Sequence, residues 1–222
     1  MESTVVAMLA VVRKDLLTAI RGRHAVAAEV YFIVGAVAVL VFAFPGARLD
    51  ADMRAGAAWL VLYFAAMMTV ARGYLVEQER GTLPYLMHTV PPDAVYWGKL
   101  VAGVLWLAAV GIVQYVLMEL AALVPFRFDI ALVLVAGAGA IGATTSLLAA
   151  IVAAARLRNW VFAAIAFPIV MPIFFLGIES LATVLAGGGL DDALTELTVM
   201  LLYVVVVVVV AWWLFPFIWS EA

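Results

Sequence analysis

Hydrophobic residues run through this chain in long blocks separated by short polar stretches, and the length of the blocks decides the class of fold. A helix needs about 20 mostly apolar residues to cross the hydrocarbon core of a bilayer. Six stretches qualify, at residues 25–44, 55–71, 99–124, 130–155, 160–186 and 197–218. The second is short, while the third, fourth and fifth are long enough to tilt or break. None alternates polar and apolar residues as a membrane barrel strand does, and in lipid the backbone polar groups must be satisfied within the segment. Even the β-branched run at 204–210, a strand signal in water, is therefore predicted to be helical. The expectation is an all-α integral membrane protein of six transmembrane helices, forming one domain over residues 1–222.

Two features lie outside the spans. Val5, Met8, Leu9, Val12, Leu16 and Ile20 recur at helical spacing while Lys14, Thr18 and Arg21 share another face. This predicts an amphipathic helix over residues 5–22 lying in the membrane interface, with Gly22 as its stop; the alternative is a basic flank that only fixes orientation. No small-residue cleavage pattern follows the first apolar block, so no removable signal peptide is expected. The longest polar stretch is 72–99. Within it residues 75–87 predict a short helix, broken near Gly81 or Pro84 and ended by Pro91, Pro92 and Asp93. Glu77, Glu79 and Arg80 give that segment charge, and Leu75, Val76, Leu83, Leu86 and Met87 give it an apolar side. Lying parallel to the membrane, it would present a knob to a partner in water; otherwise it is a solvated turn packed on the ends of the spans.

Composition strengthens the membrane reading: 68% of the 222 residues are hydrophobic and 12% charged, against about half and a quarter in soluble domains. The absence of cysteine removes disulfides, thiolate metal sites and cysteine nucleophiles together. A net charge of −3 gives no sign of a nucleic-acid partner. No Gly-x-x-x-x-Gly-Lys-Ser/Thr pattern occurs, so any ATP must be handled by another subunit.

Charge also orients the chain. Arg13, Lys14, Arg21 and Arg23, then Arg72, Arg80 and Lys99, then Arg156 and Arg158 fall on one side, against Arg48, Arg54 and Arg127 on the other. The excess of Lys and Arg marks the cytoplasmic side, which predicts cytoplasmic termini and a cytoplasmic 72–99 loop.

Three carboxylates fall inside predicted spans, where an ionised group costs roughly 2.5–3.5 kcal/mol on insertion scales. Glu29 can pair with Arg21, Arg23 or Lys99, and Glu119 with Arg127. Glu179 follows Pro168, Pro172 and Gly177 in a span that these residues can break, which makes Glu179, Pro168 and Pro172 a candidate gate. His24 and His88 are the only histidines, and both fall on the predicted cytoplasmic side. The tryptophans, Trp59, Trp97, Trp106, Trp160, Trp212, Trp213 and Trp219, read mostly as interfacial anchors. Gly137, Gly139 and Gly142 allow close helix approach, and Gly46 and Gly187 to Gly189 read as turns. No catalytic set or metal-spaced cluster emerges, so the chain is expected to be non-catalytic.

The stretch Glu-x-Glu-Arg-Gly-Thr-Leu-x-x-Leu-Met at 77–87, followed by Pro91 and by Gly98-Lys99 opening a span, resembles the haem exporter permease of cytochrome c maturation, the B component of that system. Pro84 stands where that family usually has Glu. Arg156 and Arg158 in a short loop, and Phe167-Pro168-Ile-Val-Met-Pro172-Ile, resemble its basic loop and its Pro-x-x-x-Pro span. The broader group is the ABC-2-type export permeases, which share a cytoplasmic coupling helix after the second span.

The resemblance implies a membrane subunit of the cell inner membrane that pairs with a second copy and with a separate cytoplasmic ABC ATPase holding ATP and magnesium. It further implies a haem-handling membrane partner and a periplasmic haem chaperone, with haem as possible substrate and no cofactor bound by this chain. The coupling residues it implies are Glu77, Glu79, Arg80, Gly81, Thr82, Leu83, Leu86 and Met87. The alternatives are an exporter of a lipid, glycan or drug; a proton-coupled transporter using Glu29, Glu119 and Glu179 as a relay; and, least favoured, a polytopic membrane enzyme.

Overall fold

The computed structural model describes residues 2–44, 49–70, 77, 80–154 and 159–221. Among these the chain is helical throughout, with no strand. The helices are α1 (Glu2–Arg21), α2 (Arg23–Ala43), α3 (Ala51–Val70), the short α4 (Leu83–Thr89), α5 (Pro92–Leu120), α6 (Phe128–Ala154), α7 (Asn159–Leu185) and α8 (Leu194–Glu221), with a 3-10 turn at Asp191–Ala193 before α8.

Five segments among the described residues are long and apolar enough to cross a membrane: Arg23–Ala43, Pro92–Leu120, Phe128–Ser146, Ala166–Leu185 and Asp191–Phe217. The second predicted span, α3, is 20 residues long but carries Asp52 and Arg54 in its first turn, and it falls outside this set. It runs the length of the bundle nonetheless. Arg54 Nη1 donates to the Leu123 carbonyl beyond the end of α5, at 3.5 Å, whereas α3 ends just ahead of the segment that joins α1 at the opposite end.

At the centre stands α6, which packs on α3, α5, α7 and α8. Small residues make this possible. A side chain at Gly142 would meet the Gly103 carbonyl of α5 at 3.3 Å, and one at Gly111 of α5 would meet the Ala138 Cβ at 3.2 Å. Trp59 of α3 is fully buried, and its ring fills the space left by two glycines: a Cβ on Gly177 of α7 would lie 1.8 Å from the ring and one on Gly137 of α6 2.3 Å from it. The interfacial reading of Trp59 is therefore corrected. The two glycines make room for the indole, whose Nε1 is buried without a hydrogen-bond partner among the described residues.

The predicted break in the fifth span is also corrected, since α7 continues through both Pro168 and Pro172. Pro172 offers no N–H to the Pro168 carbonyl; one residue on, the Ile169 carbonyl accepts a hydrogen bond from Tyr203 Oη of α8 at 2.7 Å. A neighbouring helix thus supplies a donor in the turn that proline loosens, which is how prolines are tolerated in membrane helices.

The two ends of the bundle are tied differently. At one end, Trp212 Nε1 near the end of α8 donates to Asp93 at the start of α5 at 3.0 Å, and α1 packs along α5. At the other end Arg127 ion-pairs with Asp129 and donates to the carbonyls of Val184 at 2.9 Å and Gly188 at 2.7 Å, while Tyr115 Oη bonds the Arg127 backbone. The turn at 187–189 holds Gly187 at φ +106°, as the glycine run predicts. Gly46 lies outside the described residues.

Candidate coupling site

Of the predicted coupling segment, residues 71–76 and 78–79, hence Leu75, Val76 and Glu79, lie outside the described residues. Of the predicted helix, Glu77 is helical and Leu83–Thr89 forms α4; between them Gly81 at φ +66° turns the chain, near the predicted break, and Pro84 sits in the first turn of α4, where a missing N–H is no loss. Arg80, Gly81 and Thr82 form an exposed turn ahead of α4. Leu83 is buried among Val95, Tyr96, Leu100, Phe215 and Trp219, with Leu86 and Met87 packed against the same cluster. The apolar side of α4 therefore anchors it to the span ends, leaving Tyr85, 73% exposed, and His88 facing outward. Tyr85 escaped the sequence reading because exposure is set by how α4 docks.

Glu77 is not on the exposed surface. It is buried, and Oε1 accepts from Lys14 of α1 and from Lys99 of α5, the latter at 3.1 Å. Lys99 also meets Asp15 at 3.2 Å, and Lys14 meets Asp15 at 3.0 Å. The four groups form a cluster of two cations and two carboxylates, neutral as a set, joining three segments far apart in sequence. Burial works to lower the Lys14 ammonium's pKa, but Asp15 and Glu77 outweigh it and hold it above its ordinary value. Lys99, predicted to open the third span as a loop charge, lies two turns inside α5, which starts at Pro92. Asp15 was missed; the only signal is that it is the sole acidic residue amid the basic positions 13–23.

Close packing backs this cluster. A Cβ on Gly98 would lie 2.7 Å from the Cβ of Val11, so α1 rests directly on the backbone of α5. The docked face of α1 includes Ala7, Met8, Val11 and Asp15, whereas Val5, Leu9 and Ile20 of the predicted apolar stripe point outward.

The remaining predicted residues are dispersed. Glu29 is buried and accepts from Trp106 Nε1 of α5 at 3.1 Å, a partner not foreseen among the basic residues. The expected Glu119–Arg127 pair is absent, because Arg127 turns to Asp129 and the α7 carbonyls. Glu179 is exposed in an open groove of about 500 Å³ with Asp52, Phe175, Ile178 and Thr183. Pro168 and Pro172 lie earlier in α7, outside the residues lining that groove. His24 and His88 are both exposed, and among the described residues no group of His, Asp or Glu is arranged to hold a metal.

An amphipathic helix, an exposed turn and a short anchored helix thus meet at one end of a bundle of apolar helices. No curated protein matches the chain. The family model described as CcmB protein matches residues 6–222, nearly the whole length. The chain belongs to the CcmB family, the haem exporter permeases of cytochrome c maturation, and is an ABC transporter permease of the inner membrane.

Proposed function

We propose that this chain is the force-receiving membrane subunit of its transporter: a separate ABC ATPase, which holds ATP and magnesium, grips the Arg80–Thr82 turn and α4, and the bundle carries that motion across the membrane. The observation behind this reading is the arrangement of the turn. It is exposed to a partner on one side and bolted on the other, through Glu77 and Leu83, to α1 and to the ends of α5 and α8. A surface loop without such anchors would yield under load.

In this reading α3 is the sixth span, and α1, α4 and both termini face the cytoplasm, in keeping with the distribution of Lys and Arg. Two copies pair with two ATPases. A haem-handling membrane protein and a periplasmic haem chaperone complete the system, and ATP turnover drives haem export or release of the loaded chaperone. The chain itself binds no cofactor and catalyses nothing.

The test is Glu79→Ala with Arg80→Ala. The double variant is expected to insert normally and to leave the ATPase turning over without cytochrome c maturation. Normal maturation at normal protein level would refute the coupling role.

A further inference from the structure

We propose that the outward face of α1 is a binding surface for anionic phospholipid, seating acyl chains on an apolar stripe and phosphate groups on the arginines beside it.

Val6, Leu9, Arg13, Leu17 and Ile20 stand three or four residues apart, so they form one stripe along α1. Each is exposed, Val6 at 66%, Leu9 at 56% and Ile20 at 61%. Ala7, Val11, Asp15 and Thr18 form the opposite stripe, from which Val11 rests on Gly98 and Asp15 pairs with Lys99 of α5. Thus α1 turns a carboxylate toward the protein and its large apolar side chains away from it. A surface helix in water does the reverse. An apolar stripe left outward along a whole helix marks a surface with a partner.

Two observations identify that partner as lipid. Gly22 alone separates α1 from α2, and its carbonyl accepts the Ala25 and Val26 N–H groups at 2.8 and 3.1 Å. The chain therefore passes without slack into a segment long and apolar enough to cross a membrane, which holds the end of α1 at the bilayer surface. The second observation is charge. Arg13 lies within the stripe, and Arg21 and Arg23 follow at its end; all three are exposed, and none forms an ion pair among the described residues. An arginine lays its stem along apolar surface while its guanidinium reaches a phosphate. Helices with an apolar face and basic flanks lie in the interface, where each basic residue favours an anionic surface about fivefold.

The native chain has no cysteine, so Leu9→Cys and Ile20→Cys each take a single fluorescent label, with Tyr85→Cys on α4 as a reference outside the stripe. The probe is a nanodisc of phosphatidylcholine with phosphatidylglycerol. In it, nitroxide groups on the acyl chains are expected to quench the labels at positions 9 and 20 at least about threefold more than the label at 85. Leaving out phosphatidylglycerol is expected to weaken that quenching about twofold or more. Arg13→Gln with Arg21→Gln and Arg23→Gln is expected to make it equal in the two lipid mixtures.

Equal quenching in the two mixtures with the arginines in place would overturn the proposal. So would labels at 9 and 20 that acrylamide, a quencher dissolved in water, reaches as readily as the label at 85. Shielding that appears only when the ATPase subunit is added would overturn it too, by making that subunit the occupant. The lipid comparison uses the native arginines, so it carries the test should the triple variant fail to insert. No readout depends on ATP turnover or maturation, so failure here is distinct from failure of the coupling role.

Discussion

At the scale of single residues, the glycines facing Trp59 decide stability by shape. Alanine in place of glycine in a helix ordinarily gains up to about 1 kcal/mol. At Gly177 the new Cβ would lie 1.8 Å from the fully buried ring, and overpacking of that kind costs about 1–3 kcal/mol. Gly177→Ala is therefore expected to lower thermal stability in detergent, while Gly103→Ala, where nothing lies within 4 Å, is expected to raise it slightly. Thermal unfolding of the two variants side by side checks the sign. The fit of Trp59 between Gly137 and Gly177 was only half legible in the chain: the glycines on α6 announced a close approach, but nothing in their spacing identified an indole from α3 as what approaches. The ion cluster was hidden for the same reason, since residues 14, 77 and 99 become neighbours only through packing.

At the scale of elements, periodicity and length told most of the story. α1, α2 and the long helices fall close to where their apolar patterns put them, because in lipid a helix is the only way to satisfy the backbone of such a segment. The shorter pieces were harder. The helix predicted over 75–87 is interrupted at Gly81, where the chain turns, while Pro84, read as the other possible breaker, instead opens α4. This position makes the departure from the usual family residue harmless: a proline in the first turn removes no intrahelical bond. Pro84→Glu is accordingly expected to change thermal stability by no more than about 0.5 kcal/mol and to leave cytochrome c maturation intact. The break expected in α7 failed for a complementary reason. Tyr203 of α8 donates into the turn loosened by Pro172, a contact between helices that no single segment reveals.

At the scale of the whole molecule, the two ends of the bundle are built unlike each other. At one end α1, the turn at Arg80–Thr82 and α5 are joined by Lys14 and Lys99 paired with two carboxylates, Asp15 and Glu77. At the other, Arg127 reaches from ahead of α6 to Asp129 and to two carbonyls at the end of α7, and Tyr115 of α5 holds its backbone. Removing Arg127 leaves those carbonyls without their charged donor, a loss of about 2–3 kcal/mol for a partly buried set. Arg127→Ala is expected to shorten the half-life of the detergent-purified protein at elevated temperature. Bonds of these two kinds make the bundle resemble tongs riveted at the tips farthest from the hand: with α5, α6 and α7 pinned together beside Arg127, a push on α4 under the proposed coupling role would swing the helices about that rivet, and the largest displacement would fall nearest the push.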